Sequence, residues 1–284
     1  MTSFDKLWNY NDPASTETKF KEALATVSIE TNTDEYLQLL TQIARTQSLQ
    51  RKFDEAHQTL DVVASHLGEP KKVAHIRYFL ERGRAFNTSG QKRNAEVCFT
   101  TALDIAQTLH EDFYAIDAMH MLAIVAEPKQ ATELNEQAII MAENSSSERA
   151  KNWLGSLYNN LAWSYFDKGE YEKALTIFLR ALKWREEKQQ PYETFLAKWC
   201  VARTLRALNR IEDALKIQLG LFEQLVEEDK KDGYVYEELA ELYLQKNDAV
   251  HKMYFQFAYN ELSLDTWLAK NEPARLSRLK ELSQ

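Results

Sequence analysis

The sequence predicts an all-α fold in which antiparallel helix pairs stack into a solenoid, and three observations carry that expectation. Only seven glycines and five prolines occur in 284 residues, so little of the chain is free to form loops. Apolar residues recur at three- and four-residue steps in one segment after another, the mark of a buried helical face. Alanines hold the same place in successive segments, at Ala56, Ala95, Ala131, Ala174 and Ala214, steps of 39, 36, 43 and 40 residues. A period of that length holds two helices and their turns, and each pair needs neighbours to bury its second face.

Composition bounds the function. Hydrophobic residues at 44% and charged residues at 27% describe a chain that folds. A net charge of −8 argues against nucleic acid, which recruits cationic surfaces that release its counterions. No run approaches the roughly 18 apolar residues of a membrane helix. The opening MTSFDKLWNY has neither the basic start nor the apolar core of a signal peptide. The expectation is a cytoplasmic protein with no membrane and no nucleic-acid partner. Cys98 and Cys200 sit far apart inside predicted helices and read as two reduced thiols, not as a disulfide or a metal site.

Taken in order, residues 1–30 read as an N-terminal cap. Phe4, Leu7, Trp8 and Tyr10 precede Asp12, an N-cap residue, and Pro13, which suits a first helical turn; a helix from about Ala14 to Ser28 follows. The first hairpin spans 34–67, turning at Leu49 to Lys52 and carrying Phe53, Ala56, Leu60 and Val63 in its second helix. The second spans 73–109, with Gly83, Phe86, Gly90, Ala95, Phe99 and Ala102 in matching places. The third, 112–143, is degenerate: Glu127-Pro128 shortens its turn, and Asn135 stands where a large apolar residue belongs. Asn144 to Ser147 is a polar break.

The clearest unit is 151–188. Leu157, Tyr158, Leu161, Ala162 and Tyr165 share one helical face; Tyr171, Ala174, Leu175, Phe178 and Ala181 share another. Between them Gly169 is the stop, because glycine takes a left-handed cap without steric cost. Counted from Gly155 as position 1, Tyr158 stands at 4, Leu161 at 7, Ala162 at 8, Tyr165 at 11, Gly169 at 15, Tyr171 at 17, Ala174 at 20, Phe178 at 24 and Ala181 at 27. This order resembles the tetratricopeptide repeat. It departs from that pattern in having alanine for the usual glycine at 8 and Glu186 for the proline near 32. Two further pairs, 191–229 and 233–263, precede a C-terminal capping segment, 265–284. The resemblance implies a single right-handed superhelical solenoid over 1–284. Its steps exceed the 34-residue unit of the family because the helices are longer. Small residues at 8 and 20 let helix axes approach, and the position-24 side chain is expected to fill the gap to the next repeat.

No pattern of chemistry stands out. There is no phosphate loop, no His-Glu-x-x-His, no Gly-x-Ser-x-Gly and no paired-cysteine spacing. His57, His66 and His75 are nine residues apart and read as packing or surface residues. No constellation promises the transition-state stabilisation, on the order of 8 kcal/mol or more, that catalysis needs. The expectation is therefore no enzyme, no cofactor and no metal.

What remains is a binding face. The resemblance implies that positions 2, 5, 9 and 12 of the first helices line a concave groove. Position 9 reads Arg45, Arg84, His120, Trp163, Arg203 and Glu241; position 5 reads Thr41, Leu80, Ile116, Asn159, Trp199 and Glu237. Position 2 adds Arg77, and position 12 adds Asn87 and Arg206. The candidate peptide-binding residues are Arg45, Arg84, Asn159, Trp163, Trp199, Arg203 and Arg206. Guanidinium forks suit carboxylate or phosphate, tryptophan supplies an apolar anchor, and an asparagine amide can grip a peptide backbone. The ligand expected is a protein or peptide segment, acidic or phosphorylated. The bland alternative is that these arginines pair with Glu81, Glu237 or Glu241, where exposed pairs contribute only about 0–1 kcal/mol. Trp153, Trp184 and Trp267 read as core or cap. The carboxylate clamp known in this family, which holds chaperone tails, is not reproduced. Two other functions stay open: a signalling-peptide or small-ligand sensor, and a self-assembling module using Phe4, Trp8 and Trp267 near the ends.

Overall fold

A computed structural model describes residues 3–284. Among these residues there are sixteen α-helices, one short 3-10 segment at Ser3–Leu7 and no strand. The chain divides into two compact units, Met1–Leu157 and Tyr158–Gln284.

In the first unit α1 (Pro13–Leu24) packs on α2 (Thr33–Leu49), which pairs with α3 (Phe53–His66). Next come α4 (Val73–Thr88) with α5 (Lys92–Thr108), α6 (Asp112–Val125) with α7 (Pro128–Asn144), and the single turn α8 (Glu148–Lys151). Asp12 caps α1 by accepting the Ser15 N–H at 3.0 Å, and Pro13 occupies the first helical position. The N-terminal segment is held by its aromatic side chains: Phe4 and Trp8 meet Phe20 edge-on at 6.3 and 5.2 Å, and Trp8 donates to the Gln42 amide at 3.0 Å.

The second unit takes most of α9 (Leu154–Asp167), then α10 (Tyr171–Glu187), α11 (Pro191–Ala207), α12 (Ile211–Glu227), α13 (Gly233–Gln245) and α14 (His251–Leu262). It closes with α15 (Thr266–Asn271) and α16 (Pro273–Leu282), the latter packed on α14. Its core is built from Phe178, Leu221, Leu239 and Phe255, all fully buried.

The long period has a simple cause. Helices α10, α11 and α12 are each 17 residues long, and the left-handed residues that close α9, α10, α11 and α12 fall at 169, 189, 209 and 229, steps of 20. Every such junction uses one device. A residue in the left-handed region ends the helix, and the N–H of the residue after it reaches back to the carbonyl five residues before its own position, as from Glu170 to Tyr165 at 2.9 Å. Glycine fills that position only at Gly90 and Gly169. Arg51, His110, Gln189, Asn209, Asp229 and Asn247 adopt it with a side chain.

Small residues sit where the helices meet most closely. A Cβ added to Gly83 would lie 2.5 Å from the ring of Phe99. The position-24 ring thus covers position 8 of its own pair, and it shares a buried cluster with Tyr114 and Ala115 of the following helix. Position 5 is corrected: Thr41, Leu80 and Ile116 are core side chains, exposed by 1% or less, because the first helices of this unit turn that stripe inward.

Both cysteines are free and buried, and burial pushes the Cys200 thiol up to about 12. Among the described residues no three acids, histidines or cysteines gather as metal ligands. No helix there is long and apolar enough to cross a membrane.

Candidate functional site

The seven residues singled out from the sequence fall into two groups, one in each unit. Arg45 on α2 and Arg84 on α4 line a cavity of about 470 Å³ in the first unit. Asn159 and Trp163 on α9, with Trp199, Arg203 and Arg206 on α11, belong to the second.

The cavity lies among the first helices α2, α4 and α6. The N-terminal segment and the stretch through Trp153 supply further walls. Two ion-pair networks line it. In one, Arg77 grips both carboxylate oxygens of Asp5 at 2.8 and 3.0 Å and donates to the Tyr114 hydroxyl at 2.8 Å, while Arg149 reaches Asp5 at 3.4 Å. In the other, Arg84 holds Glu81 at 2.8 Å and also bonds Asp117, and Arg45 stands 3.6 Å from Glu81. Arg84 is nine-tenths buried; burial works against its charge, but the Asp117 and Glu81 carboxylates overcome it and raise its pKa. Arg45 has the poorer arrangement. Burial and then the neighbouring Arg84 press its pKa down, Glu81 opposing, although a quarter of the side chain is exposed.

Aromatic rings complete the lining. Trp8 and Tyr10 stack at 4.6 Å with their planes 6° apart. Arg149 lies 3.7 Å over the Phe113 ring, and Trp153 meets Phe113 at 6.0 Å and His120 at 5.2 Å. Trp153, read from the sequence as core or cap, is thus half-buried on the cavity wall. Asp5, Tyr114, Asp117 and Arg149 were not legible as site residues. Asp5 and Arg149 lie outside the repeat register, so no periodic position pointed to them.

The second group forms a face. Trp163 and Trp199 stand 6.4 Å apart, and Trp199 and Tyr234 6.3 Å, so three half-buried or exposed rings run in a row across α9, α11 and α13. The Trp199 indole N–H donates to the Tyr234 carbonyl at 3.2 Å. The Arg203 guanidinium lies 5.4 Å from the Trp199 ring centroid, within cation–π range. Arg203 and Arg206 share one acid, Glu238, at 2.6 Å for the first and 2.7 and 2.9 Å for the second. Glu238 is 1% exposed, whereas Arg203 and Arg206 keep 31% and 20% of their side chains open. Glu237 and Glu241, the partners weighed from the sequence, instead bind Arg275 and Arg278 of α16. Asn159 is half-buried one turn before Trp163. Tyr234 was readable: it stands at position 2 of its repeat, three residues before Glu237. Trp184 is a core residue, and Trp267 is exposed by 61%.

Residues 155–188 match the tetratricopeptide repeat profile. Among solved structures, the apo form of RapI shares the fold with a TM-score of 0.72 at 12% identity, over 97% of this chain and 83% of that one. A signal-transduction ATPase from Pyrococcus horikoshii with a tetratricopeptide repeat sensor gives a TM-score of 0.70 at 16% identity; 96% of this chain aligns, on 42% of that protein. The apo quorum sensor NprR from B. thuringiensis gives 0.53 at 14% identity, over 97% of this chain and 83% of that one. No curated protein matches the chain in sequence. At these identities the likeness is one of fold.

Proposed function

We propose that this chain, a tetratricopeptide-repeat protein, is a non-catalytic recognition module that binds a protein or peptide segment through the aromatic and arginine face of its second unit. The observation that carries this reading is the row Trp163, Trp199 and Tyr234 beside Arg203 and Arg206. Tryptophan, tyrosine and arginine are the residues that dominate binding energy at protein interfaces. Two guanidiniums share the buried Glu238 carboxylate there and keep 31% and 20% of their side chains open, so their remaining donors call for a ligand that brings acceptors. An acidic or phosphorylated segment meets that requirement. The net charge of −8 makes nucleic acid a poor partner, and the cytoplasm is the compartment we assign.

An array of acidic, phosphorylated and neutral peptides, probed with wild type and with Trp199→Ala and Arg206→Gln, tests the proposal. Peptides bound by wild type and lost by both variants, each checked to be folded at the assay temperature, are the expected result. Identical binding by all three proteins sinks it.

A second reading, a small-ligand or signalling-peptide sensor, is favoured by one different feature, the cavity of the first unit. Its volume of about 470 Å³ is in the range of a small-ligand pocket, and charged and aromatic side chains line it together.

A further inference from the structure

The charges around the first-unit cavity do not balance. Four guanidiniums, Arg45, Arg77, Arg84 and Arg149, face three carboxylates, Asp5, Glu81 and Asp117, which leaves one positive charge on a lining whose charged side chains are mostly buried. The donors are in excess too. Arg84 Nε and Trp153 Nε1 are buried with no acceptor in the protein, against one unpartnered buried acceptor, Glu81 Oε2, from which Arg45 Nε stands 3.6 Å away without a hydrogen bond. Buried donors left unpaired are costly, so a site built this way favours an occupant that brings acceptors. Arg45 and Arg149 are the two arginines with a quarter or more of the side chain exposed, so an incoming anion meets them first.

We propose that this cavity takes a small organic monoanion: one carboxylate carried on an aromatic body. The carboxylate neutralises the surplus charge at Arg45 and Arg149 and accepts from the Trp153 indole N–H. The body lies against the rings of Trp8 and Phe113. A phosphate monoester carries about −1.5 to −2 at neutral pH and would replace a surplus positive charge with a negative one. Against a lining of mostly buried charges that exchange is unfavourable. The inference rests on the sensor reading of the cavity and is independent of the aromatic face of the second unit. A free aromatic acid and the C-terminal carboxylate of a peptide ending in an aromatic residue both present this chemistry.

Titration calorimetry on the full chain with three probes of one shape decides the matter: phenylacetate, phenylacetamide and phenyl phosphate. Phenylacetate is expected to bind, with the amide and the phosphate about tenfold weaker or worse. Arg45→Gln should weaken phenylacetate about tenfold at an unchanged melting temperature. Trp153→Phe, which keeps a ring and deletes the N–H, should weaken it several-fold and serves if the arginine variant does not fold. Gly-Gly-Phe with a free or an amidated C-terminus separates the two sources. Tighter binding of the free-ended peptide than of phenylacetate identifies a peptide end, and the reverse identifies a free acid. Phenyl phosphate binding as tightly as phenylacetate, or no probe binding at millimolar concentration, overturns the proposal. Either of those results leaves the peptide array on Trp199 and Arg206 free to succeed.

Discussion

At the scale of single residues, the arginines that look alike in the sequence differ in what they hold together. Arg84 is nine-tenths buried between Glu81 and Asp117, and removing one member of a buried ionic network leaves the others uncompensated. Arg84→Ala is therefore expected to lower unfolding free energy by about 3–5 kcal/mol. Arg45, with one loose pair and a quarter of its side chain exposed, should cost less than about 1 kcal/mol when changed to alanine. Equal shifts in denaturation midpoint for the two variants would refute this division. His120 adds a pH dependence. Burial lowers its pKa, with Arg84 acting in the same direction against Asp117, so the folded state keeps the ring neutral where the unfolded chain takes up a proton. The unfolded state then binds more protons, and stability is lost as pH falls below the unfolded value of about 6.5. Wild type should thus lose more stability than His120→Asn between pH 7.5 and pH 5.5. A difference between the two proteins that does not change with pH would count against it.

At the scale of elements, the helix ends carry the clearest expectation. Gln189 ends α10 at φ +53° with an exposed side chain, and the left-handed region costs a side-chain-bearing residue roughly 1–2 kcal/mol. Gln189→Gly relieves that cost, offset by the extra chain entropy of glycine, and should stabilise by about 0.5–1 kcal/mol. A drop in melting temperature would mean that the cap is held by something other than backbone sterics. The same junctions mark where sequence reasoning stopped. Gly90 and Gly169 announce their turns because glycine is the residue that prefers this conformation. Gln189 and Asp229 do the same work with the six-to-one hydrogen bond of the following residue, which leaves no mark on composition. The helices themselves were legible, since apolar stripes such as Tyr171, Ala174, Leu175, Phe178 and Ala181 are what the packing requires. The site was legible only in part. Position 9 pointed to Arg45 and Arg84, and Glu81 was weighed as their partner, but Asp117 and the walls around them come from residues brought near by folding. Asp5 and Arg149, 144 positions apart, meet on one carboxylate, and no local pattern records that.

At the scale of the whole molecule, an acidic protein carries partly exposed arginine clusters, and the two facts act over different distances. The net charge of −8 repels an acidic ligand during approach, whereas the partly exposed guanidiniums of Arg203, Arg206, Arg45 and Arg149 act on contact. Screening separates them. The Debye length falls from roughly 30 Å at 0.01 M salt to about 8 Å at 0.15 M, so salt removes the long-range repulsion first and the partly buried contact pairs much less. For an acidic peptide that binds the second-unit face, the association rate is therefore expected to rise as salt increases over this range. The dissociation rate should rise as well, because the exposed portions of Arg203 and Arg206 are still screened. A neutral aromatic peptide should show neither trend. Stopped-flow measurements at the two salt concentrations check both rates. An association rate that falls with salt would mean that the local field of the guanidiniums reaches beyond the acidic surface. In that case the site steers its ligand from a distance, and the negative surface takes no part in selecting it.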